Sequence, residues 1–159
     1  MVALKVRVQL EDFNAQEEEK RLLSDRRDIG AIISFIGLCR DEEPPLSALE
    51  LEHYAGMAET EIEAVAKEAS SRWPIFGATI IHRYGMIKPG AQIVLTLVAA
   101  AHREAAFASA QFIMDYLKTK APFWKKRHFL DGAASDWIAP KIEDDLALRR
   151  WQESKSPGG

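Results

Sequence analysis

Two stretches of helical periodicity enclosing a pair of strand-like runs constrain this chain more than any other feature. Ala58, Ile62, Val65, Ala66, Ala69 and Trp73 recur at the spacing of one helix face, and Pro74 stops the run. A second helix is predicted from about Arg103 to Lys118, burying Ala106, Ala110, Ile113, Met114 and Leu117, and Pro122 ends it. Between them, residues 78–84 and 92–100 read as strands joined through a Lys88-Pro89-Gly90 turn. Upstream, Leu4, Val6 and Val8 alternate as a strand over 3–8, Asn14 is placed to cap a short helix over 15–23, and 29–37 reads as a buried strand. Alternation resumes over 48–54 after the break at Asp41-Glu42-Glu43-Pro44-Pro45. An extended basic segment at 123–129 and a last short helix near 142–151 complete the pattern. Hairpin-like neighbours and irregular alternation favour a single α+β domain, with a mixed or antiparallel sheet and packed helices, over a doubly wound parallel sheet.

Length and charge narrow the class. At 159 residues the chain is one domain, able to bury roughly two-thirds of its unfolded surface. A net charge of −3 argues against bulk attraction to nucleic acid or an anionic membrane, and no apolar run reaches the ~18 residues of a membrane-spanning helix. The alternating N-terminus does not resemble a signal peptide. A lone cysteine, Cys39, excludes an internal disulfide and fits a reducing cytoplasm. Residues 152–159 read as a disordered tail.

The densest chemistry lies in residues 118–128, which hold Lys118, Lys120, Lys125, Lys126 and Arg127 and no acid. This strip is either a helix C-terminal lysine followed by a charge-protected edge strand, or an anion site in which a lysine serves as acid, base or nucleophile. His102-Arg103 stands where a strand gives way to a helix; it is either a phosphate clamp or a capping His beside a surface Arg. Arg40, at the end of the 29–37 strand, either faces a cleft or pairs with the acids that follow it. His82-Arg83 reads as a structural strand end. Cys39 is either a nucleophile lowered by Arg40 or a small apolar strand residue. The four histidines lack metal-ligand spacing.

In order along the chain, the segments GAIISFIGLCR (30–40), LEHYAGM (51–57), IHRYG (81–85), AHREAAF (101–107) and FIMDYLKTKAPFWKK (112–126) resemble the large subunit of molybdopterin synthase, the MoaE family. The resemblance covers about residues 3–151 and implies an α/β hammerhead fold with an additional subdomain. It implies a homodimer within a heterotetramer, each end carrying a small ubiquitin-like sulfur carrier whose C-terminal Gly-Gly bears a thiocarboxylate. The implied reaction passes two sulfurs to cyclic pyranopterin monophosphate, forming the dithiolene of molybdopterin without a metal or organic cofactor. Carried over position by position, the catalytic lysines fall on Lys118 and Lys125. Substrate contacts fall on Leu38, Cys39 and Arg40, on Lys126 and Arg127, and across the dimer on His102 and Arg103.

Two departures stand out. Arg127-His128 occupies a place where the family commonly carries an acid, and the stretch between Lys125 and Trp137 is about two residues longer than usual. The terminal Pro157-Gly158-Gly159 mimics the carrier's tail on the wrong subunit and reads as coincidence. Two other functions compete: a docking module that binds the carrier without turnover, and an RNA-binding domain using the 118–128 strip, which the acidic net charge opposes.

Overall fold

The computed structural model describes residues 2–120, 122–138, 149, 151 and 152. In chain order the elements are β1 (Ala3–Gln9), α1 (Ala15–Leu23), β2 (Ala31–Leu38), β3 (Leu46–His53), α2 (Met57–Arg72), β4 (Ile75–Arg83), β5 (Gly85–Ile87), β6 (Gln92–Ala100), α3 (Arg103–Lys120) and β7 (Phe123–Phe129). The helix expected near 142–151 falls almost wholly outside the described residues, as do residues 153–159 of the expected tail.

The periodicities carry through to packing. Four strands form one sheet in the order β1-β4-β6-β2, with β1 parallel to β4 and the other pairs antiparallel, so the sheet is mixed. Along β4 and β6, Ala78, Ile80, Val94, Val98 and Ala100 pack against the buried faces of α2 and α3. Their neighbours Ile81, Leu95 and Leu97 turn to the opposite face and meet Phe13 and Leu22 around α1. Both faces of β6 are therefore covered, which is why its sequence is apolar at consecutive positions on either side of the buried Thr96. α2 stops at Trp73, whose backbone is extended (φ −128°, ψ 147°), the conformation that the ring of Pro74 imposes on the residue before it. At the centre of α3, Phe112 is wholly buried against Trp73, Tyr116 and Trp151.

The second sheet, β5-β3-β7, is antiparallel throughout. The strands expected at 78–84 and 92–100 do pair, but the chain between them makes an excursion: β5 leaves the first sheet to lie against β3. Gly85 makes that exit with φ +88°, a backbone conformation that favours glycine; the Leu10 methyl 2.8 Å from where a Cβ would stand is on an exposed side chain that can move aside. Cys39, Leu51 and Ile87 form a small core beneath this sheet. The cleft described next lies where the two sheets and the end of α3 meet.

Candidate active site

The cleft has a volume of about 310 Å³, within the range of small-molecule sites. Its floor is apolar, with Leu49, Leu51, Ile93 and Leu117; its polar groups are Arg40, Glu42, His82, Lys118, Lys125 and Arg127. Leu38 and Cys39 also line it. Four cations, from the loop after β2, from α3 and from β7, thus converge on one cavity although Arg40 and Arg127 lie eighty-seven positions apart.

Strand geometry selects which side chains of the basic strip take part. Along β7, Phe123, Lys125 and Arg127 face the cleft, while Trp124, Lys126 and His128 face away. Trp124 packs edge-on against Tyr54, the Lys126 ammonium lies 5.6 Å from the Trp137 ring centre, and His128 Nε2 pairs with Glu50 at 2.8 Å. Lys126 is therefore near the cleft in sequence and on the other side of the sheet in space. Lys125 is set by pairing with Leu51 on one edge and by a bridge to Ile138 on the other. Lys118 comes from the last turn of α3, whose buried face (Ile113, Leu117) fixes its direction and whose carbonyl end favours a cation.

Arg40 follows β2 and lines the cleft. Of the two readings open to it, pairing with the neighbouring acids does not occur: Glu42 instead meets Arg127, Oε2 to Nε at 2.8 Å. Cys39 is 2 % exposed, its N–H donating to the Ala91 carbonyl and its carbonyl accepting from Gly90. Burial raises its thiol pKa, and the charges of Glu42 and Asp41 raise it further, against a backbone hydrogen bond at Leu49; the net rise favours the neutral thiol and the reading of Cys39 as a small apolar strand residue.

His102 and Arg103 are exposed and do not line this cavity. They stand at the opposite end of α3 from Lys118, roughly 22 Å away along a helix rising 1.5 Å per residue. No rearrangement of side chains brings them to the Lys118 of their own chain.

His82 reads from sequence as a structural strand end and Glu42 as one acid of a loop, yet both line the cleft. The His82 ring stacks on Phe123 at 3.9 Å, and its Nδ1 donates to the Arg83 carbonyl at 2.8 Å. Burial pushes its pKa from 6.5 down to about 4, against the pull of that hydrogen bond, and the charges of Lys125, His53 and Lys118 push the same way. The imidazole is therefore neutral near pH 7, with its Nε2 lone pair available as an acceptor. A strand-end histidine placed by alternation opposite the lysine strip was a usable signal, but it required knowing that β4 and β7 share a cavity.

The fold is α+β, and its cleft, with four cations over an apolar floor, has the chemistry that suits a small anionic molecule carrying an apolar or aromatic body. The chain belongs to the MoaE family, whose model, described as MoaE protein, matches residues 8–120. It is 55% identical over 152 residues to the molybdopterin synthase catalytic subunit of Brucella melitensis, covering 96% of this chain and 93% of that protein. It is 57% identical over 146 residues to the protein of the same name from Rhizobium meliloti, covering 92% and 94%. Among solved structures, molybdopterin cofactor biosynthesis protein E from Burkholderia multivorans superposes with a TM-score of 0.81 at 45% identity, over 96% of this chain and 98% of that one.

Proposed function

We propose that this chain is the catalytic subunit of a molybdopterin synthase, transferring sulfur from the C-terminal thiocarboxylate of a small carrier protein to cyclic pyranopterin monophosphate. The observation that carries the reading is the convergence of Arg40, Lys118, Lys125 and Arg127 on one cleft with an apolar floor. A phosphate and a thiocarboxylate brought together repel each other, and a cavity that unites them must supply several cations. The apolar floor suits the flat pterin body. Arg40 and Arg127 are suited to the phosphate by their forked donors, and Lys125 to the thiocarboxylate or the oxyanion that develops on its carbonyl carbon.

In this reading the carrier's sulfur bonds to an oxygen-bearing side-chain carbon of the pterin and that carbon's C–O bond breaks, the oxygen leaving as water in one round and staying on the phosphate, as the cyclic ester opens, in the other. Water then attacks the acyl carbon, the acyl C–S bond breaks, the carrier recovers a carboxylate, and the sulfur stays on the pterin. Lys118 handles the protons of these steps or forms a transient bond to the carrier's acyl group, since it stands at the cavity wall on a rigid helix. Two rounds give the dithiolene.

The pair His102-Arg103 serves the cleft of a second copy. A residue fixed roughly 22 Å from its own Lys118 along α3 can reach a cationic cleft only in another subunit. Mixing Lys118→Ala and Arg103→Ala chains tests this: each heterodimer rebuilds one intact cleft, and random pairing restores about a quarter of wild-type turnover. No recovery on mixing would place the pair in its own subunit or outside the chemistry.

The reading as a whole is tested with purified protein, a thiocarboxylated small carrier and the cyclic pyranopterin, following dithiolene formation by mass spectrometry. Product that is lost, by at least about a hundredfold, with Lys118→Ala supports both the reaction and its central residue. Binding of the carrier without any product would make the chain a docking module instead.

A further inference from the structure

Glu42 is an acid in a cleft otherwise equipped for anions. Its carboxylate reaches across the cavity mouth from the loop after β2 to Arg127 on β7, at 2.8 Å, with the two side chains 32% and 34% exposed. Both ends of the contact are held by the backbone. Asp41 Oδ1 accepts from the Glu42 and Leu46 N–H groups, at 2.8 and 2.9 Å, which sets the loop. The Arg127 N–H donates to Ser135 Oγ at 2.8 Å, and its carbonyl accepts from the Ser135 N–H at 2.9 Å, which sets the strand. The side chains can part while the backbones stay.

We propose that Glu42 is a specificity-determining residue of this site: it occupies Arg127 as an internal counter-anion, closing that cation to free anions and yielding it to a phosphoryl group carried on a molecule already seated in the cleft. This rests on the reading of the cleft as the site of a phosphorylated substrate. A carboxylate fixed on a loop acts at a high effective concentration, and a dissolved anion of equal charge competes poorly with it. A phosphoryl group tethered to a ring that fills the apolar floor competes on equal terms, because the ring's binding has already localised it. It also offers more acceptor oxygens, which Arg40 and Lys118 can meet at the same time as Arg127. Once displaced, the Glu42 side chain turns to solvent, with no buried charge left behind.

The test titrates the full chain with inorganic phosphate at fixed ionic strength, following backbone amide shifts by NMR. Glu42→Gln is expected to bind phosphate about two- to fivefold more tightly than wild type, the worth of a half-exposed ion pair removed as a competitor. In an Arg127→Gln background the same change is expected to lose most of that gain, an outcome that a merely structural role for Glu42 would not produce. Phosphate affinity unchanged or weakened by Glu42→Gln, with binding still mapped to the cleft, would overturn the inference and leave the synthase reading standing. Phosphate binding that neither maps to the cleft nor weakens with Arg40→Ala would overturn the anion site itself, and this inference with it.

Discussion

Protonating His82 costs this fold stability in a window that can be worked out from the site. The unfolded chain takes up the proton near pH 6.5, whereas the folded protein resists it until about pH 4, because the ring is packed on Phe123 and faces Lys125 and Lys118. The folded pKa lies below the unfolded one, so stability is complete above about pH 7, falls as the pH drops through 6.5, and levels off below 4. At 1.36 kcal/mol per unit, the loss attributable to this ring is roughly 2 kcal/mol between pH 7 and pH 5, and roughly 3 kcal/mol by pH 4. Urea denaturation followed by tryptophan fluorescence at pH 7 and pH 5 measures it. The substitution His82→Asn keeps a donor for the Arg83 carbonyl and removes the titration, so its fixed cost appears equally at both pH values. Wild type is expected to lose roughly 2 kcal/mol more than the variant on acidification. Equal losses would refute the argument, as would a His82 ring resonance titrating near 6.5 in the folded protein.

Other expectations follow from the same geometry. Lys125→Ala should lower dithiolene formation at least about a hundredfold, while Lys126→Ala, on the far side of β7, should leave it within about threefold; steady-state rates with a saturating carrier separate the two. Phe112→Ala removes a wholly buried ring from between α2, α3 and Trp151 and should cost about 3–5 kcal/mol in denaturant unfolding. Gly30→Ala would put a methyl 2.2 Å from the Ala101 carbonyl oxygen, a backbone atom that cannot swing aside, and should lower stability by about 1–3 kcal/mol in the same assay.

What the sequence determined by itself was local. The spacing of Ala58, Ile62, Val65 and Ala69 placed α2, Asn14 announced the cap of α1 by accepting from the Glu17 N–H, and the mostly apolar stretch of 92–100 marked β6 as a strand. Each of these is decided by residues a few positions apart, where periodicity and capping chemistry act directly. The family segments likewise pointed to Lys118, Lys125 and Arg40, and the cleft holds all three. What the sequence left open was every relation between distant positions. β5 was missed because three residues, Gly85–Ile87, are too few to show a period, and they are a strand through their pairing with β3. Lys126 and Arg127 looked alike as neighbours in a basic run, and pairing of β7 with β3 turned one away from the cleft and the other into it. Glu42 pairs with Arg127, eighty-five positions further on, and not with Arg40 two positions before it, because β7 stands on the facing wall. An ion pair or a cavity depends on where separate elements dock, and docking is settled by the burial of whole faces, which adjacent residues do not encode.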